Sequence, residues 1–284
     1  MRTLCIGGRV FEGSGPFLMG VVNVTPDSFS DGGTSCSPES AAEKAERLLA
    51  EGADIVDLGG ESSRPLASEV PVQIEMDRVV PVIELLRARR CSAPLSIDTR
   101  KAEVARAALS AGADMVNDVS ALADPALRDL VAERGVPVVL MHMRGTPSSM
   151  AALAHYSDVV GEVERELADA LARAVRAGVK EEHILLDPGL GFAKKAAHSV
   201  ALLASLRRLR RLGRPLLVGP SRKSFIGEIS GARVLERLPG TLAAVAACVL
   251  AGVEFLRVHD VAAAKQAALV AAAIREASPQ PGTR

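Results

Sequence analysis

Cysteine is scarce in this 284-residue chain, and its spacing excludes two common uses of the residue. The four cysteines, Cys5, Cys36, Cys91 and Cys248, are scattered and form no C-x-x-C pair. The sequence therefore indicates neither a structural zinc site nor a disulfide framework. We expect reduced thiols in a cytoplasmic protein, because disulfides are rare in that compartment.

An excess of charge and a long apolar run are also missing. The 34 basic residues balance 34 acidic ones, so the chain lacks the basic surface of a nucleic-acid-binding protein. The N-terminus has no signal-peptide core, and the longest apolar run, residues 242–253, is too short to span a membrane. With 48% hydrophobic residues, the chain is predicted to be a soluble protein that handles small molecules.

A unit of apolar strand, polar loop and alanine-rich helix recurs eight times. The predicted strands span residues 17–24, 55–58, 95–97, 115–119, 137–141, 184–186, 216–218 and 255–258. The predicted helices span residues 40–50, 72–88, 102–110, 127–133, 159–177, 199–212, 242–251 and 262–274. This α/β repeat predicts a (β/α)8 TIM barrel. A doubly wound sheet is the alternative, but no G-x-G-x-x-G motif follows the first strand.

Glycine and proline mark the ends of these units. Left-handed C-terminal caps are expected at Gly52, Gly112, Gly135, Gly178 and Gly252. Ser37 and Pro38 fit a serine cap with proline at the first helical position. Residues 3–15 are predicted to form an N-terminal β-hairpin that closes the barrel bottom. We expect one domain over residues 1–277 and a disordered tail over 278–284.

Residues 19–33 are the most informative segment, reading MGVVNVTPDSFSDGG. Asn23 interrupts an otherwise apolar strand, where a buried amide needs a hydrogen-bonding reason. The polar loop behind it carries Asp27 and Asp31 and ends in Gly32-Gly33. Loops of this composition commonly carry binding or catalytic residues, so the segment predicts a functional site at the end of the first strand.

Polar residues follow the other predicted strands as well, and in a TIM barrel the strand carboxyl ends form the active-site face. Compact carboxylates and an amide suit the paired N–H donors of an amino-heterocycle: Asp98, Asn117 and Asp187. Cationic or proton-bearing groups suit a phosphate or diphosphate: Arg64, Arg257 and His259. The rim therefore predicts a site for an amino-heterocycle joined to an anion.

Eight motifs resemble, in order and spacing, those of the dihydropteroate synthase family. They read MGVVNVTPDSFSDGG, GGESSRP, SIDTRK, VNDVS, MHMRGTP, DPGLGFAK, GPSRKSFIG and LRVHD, and span residues 19–261. The resemblance implies a (β/α)8 barrel, usually a homodimer. It also implies a magnesium-assisted condensation of 7,8-dihydropterin-6-ylmethyl diphosphate with 4-aminobenzoate in folate biosynthesis, which sulfonamides inhibit.

The resemblance also implies roles for individual residues. The pterin contacts are Asp98, Asn117, Asp187 and Lys223. The diphosphate contacts are Asn23, which also meets the magnesium ion, Arg64, Arg257 and His259. The aminobenzoate contacts are Ser63, Phe192 and Ser221. The implied catalytic set is Asp31, Lys223, Arg257 and His259, with Asp31 stabilising the cationic methylene carbon after its loop closes.

Other rim residues have non-catalytic interpretations. His142 is predicted to belong to the pocket wall or to loop packing, and Asp57 and Asp118 to hold the pocket floor. Arg222 either stacks on the pterin or points to solvent, and the same two alternatives apply to Lys194.

Four positions depart from the family's commonest residues. Ser63 replaces threonine, Leu66 and Ala193 replace glycines, and Ser199 replaces asparagine. Ala193 is strained if the backbone there requires a positive φ. These departures bear on loop geometry and inhibitor binding rather than on the proposed catalytic groups.

Three alternative functions share part of this residue set. A pterin-binding methyltransferase domain would use the carboxylates, but the 23–33 loop and the 221–223 motif argue against it. A catalytically silent pterin-binding paralogue is the second alternative. A Schiff-base aldolase using Lys223 is the third and the weakest.

Overall fold

Eight parallel strands form the central sheet in the computed structural model, which describes residues 3–13, 15–25, 37–62 and 69–278. They are β3 (Phe17–Asn23), β4 (Ile55–Gly59), β5 (Leu95–Asp98), β6 (Met115–Asp118), β7 (Val138–Met141), β8 (Ile184–Asp187), β9 (Leu217–Val218) and β10 (Phe255–Val258). A separate antiparallel hairpin precedes them, made of β1 (Thr3–Ile6) and β2 (Arg9–Glu12). All eight predicted strands and the hairpin are confirmed.

The sheet closes on itself as a barrel. Its strand order is β8-β7-β6-β5-β4-β3-β10-β9, and a parallel bridge between Leu186 and Leu216 joins its two edges. The Leu186 main-chain N–H donates to Pro215 across the same junction at 3.0 Å. This closure confirms the (β/α)8 prediction over an open doubly wound sheet.

Helices follow the strands around the outside of the barrel. They are α1 (Pro38–Ala50), α2 (Val72–Ala88), α3 (Ala102–Ala111), α4 (Pro125–Arg134), α5 (Val159–Arg176), α6 (Ala196–Ala204), α7 (Leu206–Leu209), α8 (Ser224–Ser230), α9 (Leu238–Leu250) and α10 (Val261–Ala277). Within the described part of the chain, no helix combines the length and apolar content needed to cross a membrane.

Two helix predictions differ from the structure. The predicted helix 199–212 is divided, because Ser205 adopts φ −111° and ψ 13° between α6 and α7. Serine readily leaves the helical conformation, since its side chain competes for backbone hydrogen bonds. Helix α8 was not predicted, because its seven residues are too few to show a helical repeat; it buries Phe225 and Ile226.

The predicted helix caps are confirmed. Ser37 accepts a hydrogen bond from the Ser40 main-chain N–H at 3.2 Å, with Pro38 at the first helical position. All five predicted glycines adopt positive φ, between 61° at Gly135 and 115° at Gly112.

The hairpin closes the lower end of the barrel with apolar side chains. Leu4, Ile6 and Phe11 form one buried cluster with residues inside the barrel: Met19, Ile55, Met115, Val139, Leu185, Leu217 and Phe255. Arg9 fixes the hairpin through Asp54, which also accepts the Leu18 main-chain N–H at 2.9 Å. Hydrocarbon side chains therefore fill the interior of this end of the barrel.

Candidate active site

The register of the strands brings predicted site residues to one level of the barrel mouth. Asn23 lies opposite Gly59, Gly59 opposite Asp98, and Asp98 opposite Asn117 on successive strands. Each of the three polar residues ends, or nearly ends, its strand. Residues far apart in the chain therefore line one rim, as the strand-end argument predicts.

Arg257 connects two buried carboxylates at this rim. Its Nε donates to Asp57 Oδ2 at 2.6 Å, and its Nη2 donates to Asp98 Oδ2 at 2.7 Å. Asn117 Nδ2 also donates to Asp57 Oδ2, at 3.0 Å. One guanidinium thus joins a predicted pterin carboxylate to a residue predicted only as pocket floor, so a residue predicted to bind the anion lies against one predicted to bind the heterocycle.

Asp57 and Asp118 have the supporting roles that the sequence predicts. Asp57 is completely buried beneath Arg257 and Asn117. Asp118 is equally buried and accepts the main-chain N–H groups of Ser120 and Leu122, both at 2.7 Å. Both oxygens of Asp118 are hydrogen-bonded, whereas Asp57 Oδ1 is buried without a hydrogen-bond partner among the described residues. The signal for Asp57 was a lone charge in the apolar strand IVDLG.

Burial raises the pKa of both rim carboxyls that face the mouth. The pKa of Asp98 rises to about 7 because desolvation outweighs its attraction to Arg257. Desolvation likewise raises the pKa of Asp187 to about 6, against the opposing effects of the Gly189 N–H at 2.7 Å and of Lys223. Both carboxyls therefore change charge close to neutral pH, which is common at functional sites.

Lys223 lies between the carboxylates and an aromatic ring. Its Nζ is 4.1 Å from the centroid of the Phe192 ring, a cation–π distance. Burial lowers the pKa of Lys223 to about 8, although Asp187 and Asp98 favour its charged form. The structure therefore brings the predicted pterin contact Lys223 against the predicted aminobenzoate contact Phe192.

His259 is neutral at physiological pH. Burial, together with Arg257 and Arg222, lowers its pKa to about 3. Its Nδ1 lies 3.0 Å from Ser221 Oγ, which also accepts the His259 main-chain N–H. If the Ser221 hydroxyl donates to Nδ1, the assigned tautomer carries its hydrogen on Nε2. Ser221, expected beside aminobenzoate, thus also orients the histidine expected beside diphosphate.

The structure bears on two open questions about individual residues. The Arg222 guanidinium is paired with Asp260, because its Nε and Nη2 donate to that carboxylate at 3.0 and 2.6 Å. Ala193 adopts φ 50°, so the residue that replaces a family glycine does sit in the left-handed region.

Several predicted residues lie outside the part of the chain that the structure describes. They are Asp31, Ser63, Arg64 and Leu66. Within the described residues, no group of three or more His, Cys, Asp or Glu side chains is placed to hold a metal ion.

Comparison with known proteins identifies close relatives. The model of the pterin binding enzyme family matches residues 19–259. Dihydropteroate synthase of Escherichia coli K12 is 45% identical over 254 residues, which cover 89% of this chain and 90% of that protein.

Solved structures agree with this relationship. Dihydropteroate synthase of Xanthomonas albilineans with 4-aminobenzoic acid is 49% identical, with a TM-score of 0.91, covering 98% of this chain and 99% of that one. The same enzyme with 7,8-dihydropteroate has a TM-score of 0.87 at 48% identity, covering 98% and 100%. The Yersinia pestis enzyme in a sulfonamide drug complex has a TM-score of 0.92 at 42% identity, covering 97% and 100%.

Proposed function

This chain belongs to the dihydropteroate synthases of the pterin-binding enzyme family, and we propose how its barrel mouth carries out their reaction. The reaction condenses 7,8-dihydropterin-6-ylmethyl diphosphate with 4-aminobenzoate, giving 7,8-dihydropteroate and diphosphate. The enzyme is therefore a transferase of a pterinylmethyl group. The observation that carries the residue-level proposal is Arg257, which joins Asp98 to Asp57 beside Lys223.

The proposed heterocycle subsite consists of Asp98, Asn117, Asp187 and Lys223. An ionised aspartate has four lone-pair positions and no donor, which suits the paired N–H groups of an aminopyrimidine edge. Asp187 supports this role, because its Oδ1 accepts the Gly189 N–H while its Oδ2 has no hydrogen bond to the part of the chain that the structure describes. Lys223 lies close enough to Asp187 for their opposite charges to interact. Each of the two residues shifts the pKa of the other in the direction that favours the charged form.

The proposed chemistry is loss of diphosphate followed by capture of the cationic methylene carbon. An arylamine is neutral and nucleophilic near neutral pH, so the amine needs no strong base. The difficult step is breaking the C–O bond, and groups that stabilise charge on the leaving diphosphate lower its barrier. Arg257, His259 and Lys223 are proposed to do this, with His259 donating from Nε2 as a neutral group. The amine forms the new C–N bond and then releases one proton.

Magnesium is proposed as the cofactor, bound mainly through the substrate. Mg²⁺ usually keeps several waters and binds one or two protein oxygens plus substrate phosphates. Asn23 offers a single amide oxygen at the rim, level with Asp98, which fits such a site better than a dedicated protein cage. The ion would supply Lewis-acid stabilisation of the diphosphate charge.

Four further roles remain proposals from the family resemblance. Asp31 stabilises the cationic carbon after its loop closes, and closure excludes water. Arg64 binds the diphosphate, while Ser63 contacts aminobenzoate together with Phe192. Phe192 is supported as an apolar wall by its packing against Met141, Met150 and Ala193.

Turnover with purified protein tests the proposed function. We expect diphosphate release that depends on the pterin diphosphate, on aminobenzoate and on magnesium. Pterin binding without any release would favour the silent paralogue. Binding of methyltetrahydrofolate, with no effect of magnesium and diphosphate, would favour the methyltransferase domain.

Pterin affinity is expected to fall as the pH decreases from about 8 to about 5. The proposed acceptors Asp98 and Asp187 have pKa values of about 7 and about 6, so both are ionised above this range and protonated below it. A protonated carboxyl can no longer accept from two pterin N–H groups. Isothermal titration with a pterin analogue that does not titrate in this range measures the change; affinity that is constant with pH contradicts the assignment.

A homodimer is also proposed, because α10 has an exposed apolar face. More than half of each side chain is exposed at Leu269, Val270 and Ile274. Light scattering of the purified protein tests the proposal, and a monomer at micromolar concentration would contradict it. The cytoplasmic location stays a prediction; it agrees with the free thiols of the described Cys5, Cys91 and Cys248.

A further inference from the structure

A cluster of ionisable side chains, two of them buried and two half-buried, lies next to the loop that carries Phe192. We call Lys194, His142, Glu166 and Arg144 the Lys194 cluster. Lys194 and His142 are 8% and 4% exposed, which is unusual for residues of these types. His142 Nε2 is 2.9 Å from Glu166 Oε2, and Arg144 Nε donates to the same carboxylate at 3.2 Å. None of these residues has a part in the chemistry proposed above.

The Lys194 ammonium has a complete set of acceptors. Its Nζ is 2.8 Å from His142 Nδ1, 2.9 Å from the Phe192 carbonyl oxygen and 3.3 Å from the His142 carbonyl oxygen. A charged lysine has three N–H donors and no acceptor, so three acceptors satisfy it. These bonds join the main chain at Phe192 to the chain that follows β7.

The loop that contains Phe192 and Lys194 is also constrained by close packing and by its backbone conformation. A Cβ at Gly189 would lie 2.0 Å from the His142 carbonyl oxygen, so the two segments are in direct contact. Ala193, between Phe192 and Lys194, is held at φ 50°. This conformation is unfavourable for an alanine relative to the right-handed region, because it brings Cβ too close to the following carbonyl oxygen. The neighbouring contacts, including those of Lys194, must offset that strain.

We propose that Lys194 is a positioning residue for the aminobenzoate subsite. By binding the Phe192 carbonyl and both acceptors of His142, it fixes the Phe192 main chain and therefore the ring that faces Lys223. This inference rests on the proposed function, because it takes the Phe192 ring as a wall of the aminobenzoate subsite.

The way in which Lys194 fixes the Phe192 main chain is expected to depend on pH. Burial lowers the pKa of Lys194 to about 7; Asp187 and Glu166 favour its charged form, whereas Lys223 and Arg144 oppose it. His142 has a lowered pKa, again chiefly because of burial, so it is neutral and accepts from Lys194 through Nδ1. Below about pH 7 the ammonium donates to all three acceptors. Above it, the neutral amine has one donor fewer than the three acceptors require.

The variant Lys194→Met tests the proposal, with Lys195→Met as the matched control. Lys195 is the exposed neighbour, so its replacement removes the same charge without touching the cluster. We expect the KM for aminobenzoate to rise about tenfold in Lys194→Met, while the KM for the pterin diphosphate changes less than twofold. Lys195→Met should change neither value. An unchanged aminobenzoate KM, or an equal rise in both KM values, would overturn the proposal.

A pH profile of the wild-type protein provides a second, independent measurement. It is recorded from about pH 6 to about pH 8.5 at saturating pterin diphosphate. The bound substrate then occupies Asp98, Asp187 and Lys223, so the titration of these groups does not affect the aminobenzoate KM. We expect the aminobenzoate KM to rise severalfold above pH 7, and the rise to be absent in Lys194→Met. A flat wild-type profile overturns the proposal even if the variant does not fold. Absence of wild-type turnover would instead refute the proposed function.

Discussion

Asp187→Asn is expected to reduce turnover by at least about 100-fold while leaving the barrel folded. The asparagine Oδ1 can still accept the Gly189 N–H, so the local main-chain bond survives. The second side-chain atom changes from an anionic oxygen, which accepts hydrogen bonds, to an amide nitrogen, which donates them. It can therefore no longer accept from the N–H groups of the pterin. Steady-state kinetics and pterin titration measure the loss; we expect it mainly in pterin affinity.

The same substitution is expected to stabilise the fold at alkaline pH. Burial raises the pKa of Asp187 to about 6 in the folded protein, above the value of 3.8 that an exposed aspartate has. The folded state therefore binds the proton more tightly, so this carboxyl favours folding below about pH 4 and loses that contribution as the pH rises through 6. Above pH 7 the buried charge opposes folding, by on the order of 2–3 kcal/mol. Asparagine carries no such charge.

Urea unfolding of both proteins at about pH 8 and about pH 4.5 measures this effect. We expect Asp187→Asn to be more stable than the wild type at the higher pH, and the gain to shrink at the lower pH. Asp129→Asn, at an exposed helix position, is the control and should change neither stability nor turnover. Lower stability of Asp187→Asn at both pH values would contradict the assigned direction of the pKa shift.

Arg257→Ala is expected to damage both the fold and the reaction. Its guanidinium pairs with Asp57, which is completely buried, and with Asp98, which is nearly so. Removing it leaves two buried carboxylates without their cation, which typically costs about 3–5 kcal/mol. Turnover should fall about 1,000-fold or more, because the charge that is proposed to stabilise the leaving diphosphate is lost as well.

Arg257→Lys separates the two effects. Lysine restores a positive charge, but its single ammonium lacks the planar fork that reaches both carboxylates. We expect stability between those of the wild type and Arg257→Ala, with turnover still strongly reduced. Arg106→Ala, at a side chain that is about half exposed, is the surface control. Wild-type stability and pterin affinity in Arg257→Ala would show that Arg257 does not link the two subsites.

Much of the site could be predicted because barrel geometry acts on local sequence. A polar residue at the end of an apolar strand must lie at the mouth of a parallel barrel, which placed Asn23, Asp98 and Asp187 correctly. The helix prediction for residues 72–88 matched α2 at both ends. Short elements were harder to predict from the sequence. Helix α8 and the break at Ser205 depend on packing rather than on a periodic pattern of apolar residues.

The sequence could not predict which charged side chains pair with each other. Asp57 and Arg257 are 200 positions apart, and nothing local to either residue indicates that they share a hydrogen bond. The neutral state of His259 also depends on burial and on nearby cations, among them Arg257 on the strand just before it and Arg222 from the loop after β9. Ser221 illustrates the same limit, since its motif did not indicate the bond to His259.

The sequence by itself therefore determined the barrel, the end of it that carries the site, and the residue types available there, because these follow from local periodicity and from motif order. The tertiary structure alone decided which charges are paired, which carboxyls titrate near neutral pH, and how Lys194 holds the Phe192 loop. The physical reason is that pairing and pKa depend on distance and desolvation. Both are fixed only when the barrel closes and brings strands from the whole chain into one mouth.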